Sequence, residues 1–378
     1  MQPPPKTILV IGAGVAGLAS AIRLARKGYD VTVVEAGPGP GGKLNEVRGG
    51  GYRFDAGPSL FTLPALMEDL LGKPGWSEQY CIRVDPVTSY FWNDGHRVDA
   101  WTDANRFDSE LAAKNGETPG QVKRYLDECR QLYDLTSDLF LFSGFLSFKT
   151  LFSFKALKVL IKTGKLKAFH SLHHENRKWF KHPRSVQLFD RFATYNGSDP
   201  YRAPATLRMI PHLEHNIGAY FPKEGMYSLA RQMHEEAVSL GVRFYFNTRA
   251  EEIILESKAV KGVRTSGGYH TVDRVVSDSD IASVYGSLLP KHPLKSKWKQ
   301  GELSSSALIF YWGVKGQFPQ LGLHNVLFAD NYSQEFESIR HHTMADDLTV
   351  YIYISSKASP GDARSEEHTS ELQSRITI

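Results

Sequence analysis

Thr7-Ile-Leu-Val-Ile11, Gly12-Ala13-Gly14-Val15-Ala16-Gly17, an amphipathic run over 18–27, Gly28, Val31-Thr-Val-Val34 and Glu35 follow one another without a gap, and this stretch decides the fold. The first aliphatic run predicts a buried strand, and Gly28 marks where a helix would end. Each glycine has a mechanical task in a dinucleotide-binding turn. Gly12 permits the tight turn, Gly14 lets a pyrophosphate approach the backbone, and Gly17 lets helix and strand pack closely. The amino end of the helix offers N–H groups and a partial positive charge to phosphate. Glu35 ends the second strand, where a carboxylate accepts hydrogen bonds from ribose hydroxyls. An acid there argues against a 2′-phosphate, because two negative charges would face each other. A lone glycine motif is weak evidence. Strand, glycines, helix, second strand and acid in this order predict an α/β, Rossmann-like nucleotide-binding fold.

The rest of the composition bounds the molecule. With 378 residues, 41% hydrophobic, 32 Gly, 19 Pro and 23% charged, the chain is globular and neither collagen-like, disordered nor a disulfide-stapled miniprotein. Its length suggests two domains. A net charge of +4 is too small over this length to imply nucleic acid. Cys81 and Cys129 form no metal or redox spacing, which suits a reducing compartment. The apolar run at 7–11 is too short for a secretory signal, and no stretch of about 20 apolar residues is present to span a bilayer. Residues 364–378, beginning Arg-Ser-Glu-Glu-His-Thr-Ser-Glu-Leu-Gln, are polar and without period. They resemble the translation of a sequencing adapter, the alternative being a disordered polar tail. The expectation is a non-native tail that packs against nothing, on a protein that continues past Ala363.

Directly behind Glu35 stands Ala36-Gly-Pro-Gly-Pro-Gly41-Gly42-Lys43. NAD needs no second glycine turn there. The passage resembles the Glu-x5-Gly-Gly-Arg/Lys element of flavoproteins of the amine oxidase and carotenoid desaturase superfamily. The resemblance implies that the chain runs along FAD, with Lys43 facing phosphate or flavin oxygens; the alternative is a Gly/Pro loop with a solvated lysine. Gly51-Tyr-Arg-Phe-Asp55-Ala-Gly57-Pro58-Ser59 resembles the Phe-Asp-x-Gly-Pro-Ser element that lies beside the isoalloxazine. Downstream, Phe221-Pro-Lys-Glu-Gly225-Met226 precedes an expected helix over 227–240, then strands over 242–246, 250–263 and 269–276. The resemblance implies that backbone near Thr248 and Ala250 holds the adenine. Glu224-Gly225 departs from the family's usual pair of glycines.

Over 6–363 the chain is similar to the bacterial-type carotenoid (phytoene) desaturases. Phe54-Asp-Ala-Gly-Pro-Ser-Leu-Phe-Thr62, Leu188-Phe-Asp-Arg-Phe-Ala-Thr-Tyr-Asn-Gly-Ser-Asp-Pro200 and Val275-Val-Ser-Asp-Ser-Asp280 carry the likeness. The second passage looks most like the branch that desaturates 1-hydroxycarotenoids at C3–C4, with phytoene desaturase as the runner-up. What the resemblance implies is an FAD-dependent oxidoreductase converting CH–CH to C=C in a C40 polyene, on a glutathione-reductase-type sheet with an interleaved substrate domain of mixed sheet and helices. The FAD domain is expected over 1–75 and 220–285, the substrate domain over 76–219 and 286–363. The implied cofactor residues are Gly12, Ala13, Gly14, Val15, Ala16, Gly17, Glu35, Ala36, Gly41, Gly42, Lys43, Asp55, Gly57, Pro58, Ser59, Thr248 and Ala250. The family's carboxyl-terminal FAD motif does not occur, so one wall of the cofactor site is expected to be missing and the chain itself inactive. Remoter readings are a flavin amine oxidase or protoporphyrinogen oxidase, which lack the 188–206 passage, and a prenyl-protein escort protein, which the two glycine elements argue against.

No Ser/His/Asp or metal-ligand constellation is present, and no general base is assigned. His173-His174 and His341-His342 are adjacent pairs without carboxylate spacing, read as ordinary polar residues, with no metal expected. Residues 139–174 contain no Asp or Glu but carry lysines 149, 155, 158, 162, 165 and 167 among Phe and Leu. A basic, apolar stretch too short to span reads as a peripheral membrane contact on the inner face of the cell membrane. A half-buried helical hairpin with snorkelling lysines is the alternative.

Overall fold

The computed structural model describes residues 6–142, 169–292, 304–363 and 369–377. Nearly all of the basic apolar stretch falls outside them. The chain divides into two compact units, one of 1–82 with 221–303 and one of 83–220 with 304–378.

In the first unit β1 (Thr7–Ile11) and β2 (Asp30–Val34) run parallel, Ile8 opposite Val31 and Val10 opposite Val33. Parallel neighbours need a crossover, and α1 (Val15–Arg26) supplies it. Leu9, Val10 and Val33 are fully buried, as expected for strands covered on both faces. On α1, Gly17, Leu18, Ala21 and Ile22 are buried and form one helical face. The strand Arg274–Ser277 pairs with the free side of β1, and Arg243–Tyr245 with the free side of β2, giving a four-stranded parallel sheet. The helix Tyr227–Ser239 packs on α1.

A three-stranded antiparallel meander, Ala250–Glu256, Ala259–Thr265 and Gly268–Thr271, sets Ile253 and Val263 against Leu9, Ile11 and Val34. The single strand expected over 269–276 is therefore two. One segment cannot ladder in both sheets, and the chain changes partner at Val272 and Asp273. There the Asp273 carboxylate accepts from the Thr7 N–H at 2.9 Å and the Thr7 hydroxyl at 3.0 Å, pinning the switch to the start of β1.

The second unit is built on a six-stranded sheet in the order Ala307–Lys315, Thr369–Thr377, Val350–Tyr353, His324–Leu327, Thr88–Phe91, Arg97–Ala100. Only the pair His324–Leu327 with Thr88–Phe91 is parallel. Helices Ala104–Asn115, Gln121–Phe140, Leu172–Trp179 and Pro183–Asp190 accompany it, around a core rich in aromatic rings such as Tyr90, Phe107, Tyr125, Phe189, Phe192 and Phe328. Among the described residues no helix is long and apolar enough to cross a membrane.

One expectation is corrected here. The terminal segment was expected to pair with nothing, yet Thr369–Thr377 forms a strand laddered to Ala307–Lys315 on one side and Val350–Tyr353 on the other. Ladder bonds are made by the main chain, so a polar sequence without period can fill a gap between two strands.

Candidate functional site

The glycine loop leaves β1 and returns under α1. Gly12 N–H donates to Val34 O at 2.9 Å, fixing the turn to β2. A side chain at Gly17 would overlap the Gly12 carbonyl oxygen and stand 3.1 Å from its carbon, so the helix lies directly on the turn. The first turn of α1 faces outward: Val15 is 46% exposed, Ala16 is exposed, and no acidic residue stands there. Four N–H groups at a helix start have no partner within the helix, so a start with no acid in its own first turn attracts an anion.

Glu35 lies across this opening. Its carboxylate accepts from Ala13 N–H at 2.8 Å and from Gly37 N–H at 2.7 Å. An ionised carboxylate offers about four lone-pair positions, so two stay available to ribose hydroxyls. Neighbouring backbone locks the residue: Glu35 N–H donates to Tyr245 O at 2.9 Å, and Thr248 N–H to Glu35 O at 2.8 Å. Thr248 thus belongs to the Glu35 site, whereas Ala250 starts the meander, paired with Thr265. Ala36 is exposed beside it.

The second glycine turn packs on the first. Gly41 N–H donates to Ala13 O at 2.8 Å, and a Cβ on Gly42 would sit 3.2 Å from the Gly14 Cα. Gly41 and Gly42 have φ of 116° and 59°, the region glycine alone adopts freely. Lys43 is exposed, and its carbonyl oxygen fills the place a Gly57 side chain would need; Pro58 is exposed and Ser59 half-buried beyond. Gly12–Gly17, Glu35, Gly41–Lys43 and Gly57 therefore form one backbone cradle, closed by contacts a Cβ would destroy. That cradle fits a dinucleotide.

Asp55 is placed differently from the rest. It is 1% exposed and bound to the Arg53 guanidinium at 2.7 Å, and it accepts from Met226 N–H at 2.8 Å. It ties the hairpin Asn45–Gly49/Tyr52–Ala56 to the returning chain. The same guanidinium occupies the space a Gly225 side chain would take, and Gly225 has φ of 82°. One glycine at 224–225 suffices because only Gly225 meets both constraints. Sequence reading missed Arg53; its signal was alternation, since Arg53 and Asp55 stand two apart in a short strand and so share one face as a charge pair. It also missed Asp278, at the end of the strand beside β1, whose carboxyl group reaches the Gly14 and Gly17 N–H groups.

The second unit has its own buried charges. Arg191 bonds Glu214 at 3.2 Å, Tyr195 donates to the same carboxylate, and the guanidinium lies over the rings of Tyr90, Phe192 and Tyr195 at 5.0–5.3 Å. Burial, with Arg191 nearby, pushes His324 down to about 3, so it is neutral. Burial raises the Cys129 thiol to about 12 and, in the first unit, the Cys81 thiol to about 11, which leaves neither a nucleophile. His173 bonds Asp190 at 2.6 Å. Nitrogens of His170 and His174 lie within 4.8 Å of a Glu175 oxygen, but the Lys178 ammonium is 2.6 Å from that carboxylate and meets its charge. A cavity of about 700 Å³ in this unit is lined by Arg177, Lys181, Glu117 and Asp330 beside Trp179 and Tyr332. That mixture does not suit a hydrocarbon.

The model of flavin-containing amine oxidoreductases matches residues 15–313. The chain belongs to that family. It is an oxidoreductase, and its cofactor is FAD. Among curated proteins it is 42% identical to the 1-hydroxycarotenoid 3,4-desaturase of a Flavobacterium species over 95% of this chain and 74% of that protein. It is 31% identical to the 4,4′-diapolycopene oxygenase of a Methylomonas species over 94% and 72% of the two chains. A solved oxidoreductase of Methanosarcina mazei superposes with a TM-score of 0.65 at 15% identity, over 98% of this chain and 79% of that one, and shows the fold alone. Family, fold class and cofactor read from the residues are borne out.

In this flavin-containing amine oxidoreductase, Glu35→Ala removes the proposed ribose acceptor and the clamp on Ala13 and Gly37 together. FAD affinity should fall by about 1–3 kcal/mol, the scale of a charged hydrogen bond. Flavin fluorescence titration measures it, and an unchanged dissociation constant refutes the assignment.

Proposed function

We propose that the protein to which this chain belongs desaturates a 1-hydroxycarotenoid at C3–C4. The observation that carries the reading is 42% identity over 95% of the chain to a protein of that name, on a chain that builds the FAD cradle. FAD, when bound, would supply the two-electron acceptor for the hydride, and the neighbouring carbon would give its proton to a basic group or to solvent. The chain's own residues have simpler tasks. Glu35 and Thr248 orient the adenosine end, the α1 N–H groups hold phosphate, and the Gly41–Gly42 turn brings backbone against the cofactor. The proposed contribution of the chain is to hold a polyene flat against the ring.

The proposal includes a membrane surface as the source of substrate. Residues 139–167 combine Phe and Leu with lysines and no acid. Each large apolar side chain buried contributes roughly 1.5–3 kcal/mol, and each lysine near anionic headgroups about 1 kcal/mol. Together these suffice for reversible attachment without a spanning helix. In anionic vesicles loaded with a 1-hydroxycarotenoid, the product should be two hydrogens lighter with a new C3–C4 double bond. Replacing Phe148, Phe152 and Phe154 with Ser should release the protein in flotation and lower turnover while FAD stays bound. Conversion of phytoene but not of the hydroxylated polyene would point to the runner-up activity.

A further inference from the structure

Helix α1 starts without a cap of its own. Its N-cap is Gly14, which has no side chain to accept from the first turn, and that turn holds no acid. The Asp278 carboxyl group faces the N–H groups of Gly17 and Gly14 from a different strand, one oxygen overlapping the place a Gly14 Cβ would take. Its own N–H donates to Ile11 O at 2.8 Å, so the end of Arg274–Ser277 is locked beside β1. The loop glycines are shaped to this contact. A Cβ on Gly12 or Gly17 would stand 3.2 or 3.3 Å from the Asp278 Cβ, and one on Gly14 would overlap the Asp278 carboxylate.

Those N–H groups are the donors a dinucleotide pyrophosphate uses. A carboxylate facing them offers the same kind of acceptor oxygen and carries the same sign of charge. We propose that Asp278 is a built-in anionic occupant of the pyrophosphate seat, so that FAD enters as this carboxyl releases the loop and takes up a proton. The inference rests on the FAD cofactor and not on the identity of the substrate. The surroundings support it. Burial raises the Asp278 carboxyl above the usual range, with the Glu35 charge acting in the same direction and the Gly17 and Gly14 N–H groups opposing. Neither β1 nor the first turn of α1 has a charged side chain, and Lys43 on the second glycine turn is exposed.

The test is titration of FAD into flavin-free protein, read by flavin fluorescence from about pH 5.5 to 8.5. The pyrophosphate stays fully ionised over this window, so a slope reports the protein. One linked proton makes the dissociation constant rise up to about ten-fold per pH unit. Asp278→Asn keeps the shape and the acceptor oxygen but not the charge; it should bind FAD at least about ten-fold more tightly at the alkaline end, with a flat profile. A sloped profile in Asp278→Asn, or weaker FAD binding in it, overturns the proposal. Circular dichroism of the flavin-free variant checks folding, and Asp278→Ser, which retains a capping hydroxyl, carries the same expectation should the amide variant not fold.

Discussion

Gly17→Ala should yield a colourless protein where the parent retains flavin. A methyl group there overlaps the Gly12 carbonyl oxygen, and that oxygen belongs to the turn with φ of 99° at Gly12, which has no slack. Relief requires α1 to lift from β1, and lifting undoes the burial of Leu18, Ala21 and Ile22. It also turns the helix-start N–H groups away from the phosphate seat. Hydrogen bonds to a charged group are worth about 1.5–3 kcal/mol each, so losing two weakens FAD by about 100-fold or more. Flavin absorbance after gel filtration measures retention. Gly28→Ala is the control. Gly28 also has a positive φ, 80°, but nothing lies within 4 Å of its added Cβ, so the variant should lose about 1 kcal/mol of stability and keep its FAD. If Gly17→Ala stays yellow, the loop is not the phosphate seat.

The second large effect lies in the other unit. Glu214 is 1% exposed and Arg191 11%. Glu214→Leu leaves the guanidinium without its carboxylate among Tyr90, Phe192 and Tyr195, and removing one partner of a buried pair costs about 3–5 kcal/mol. Arg191→Met alone should cost a similar amount, by stranding the carboxylate. The double variant should recover most of the loss, because two apolar side chains of similar volume fill the same space without a desolvated charge. Urea denaturation of all four proteins yields the coupling energy. Single variants within about 0.5 kcal/mol of the parent would show that the pair is solvated and carries no such weight. Catalysis need not follow stability, so turnover of the double variant separates a scaffold role from a role at the substrate.

Much of the nucleotide site was legible in the chain because its constraints are local. Gly12, Gly14, Gly17 and Glu35 lie within one strand–helix–strand unit, and Gly41 and Gly42 follow at once, so turn, helix start and second-strand acid are read in order from neighbouring residues. Positive φ and an apolar period are likewise written residue by residue. The sequence by itself thus determined the fold class, the cofactor and the family.

The tertiary structure decided which distant groups complete each local requirement. Asp278 caps a helix from a strand that follows most of the chain, Arg53 explains why Gly225 is a glycine, and Glu214 neutralises Arg191. At Asp273 one apolar stretch divides between two sheets, and Thr369–Thr377 takes a slot its composition does not announce. The physical reason is common to all of these. Side-chain period states which face of an element seeks a partner, while backbone ladders and buried charges accept any partner that closes the geometry. That partner is selected by packing over long sequence separations, which no local pattern encodes.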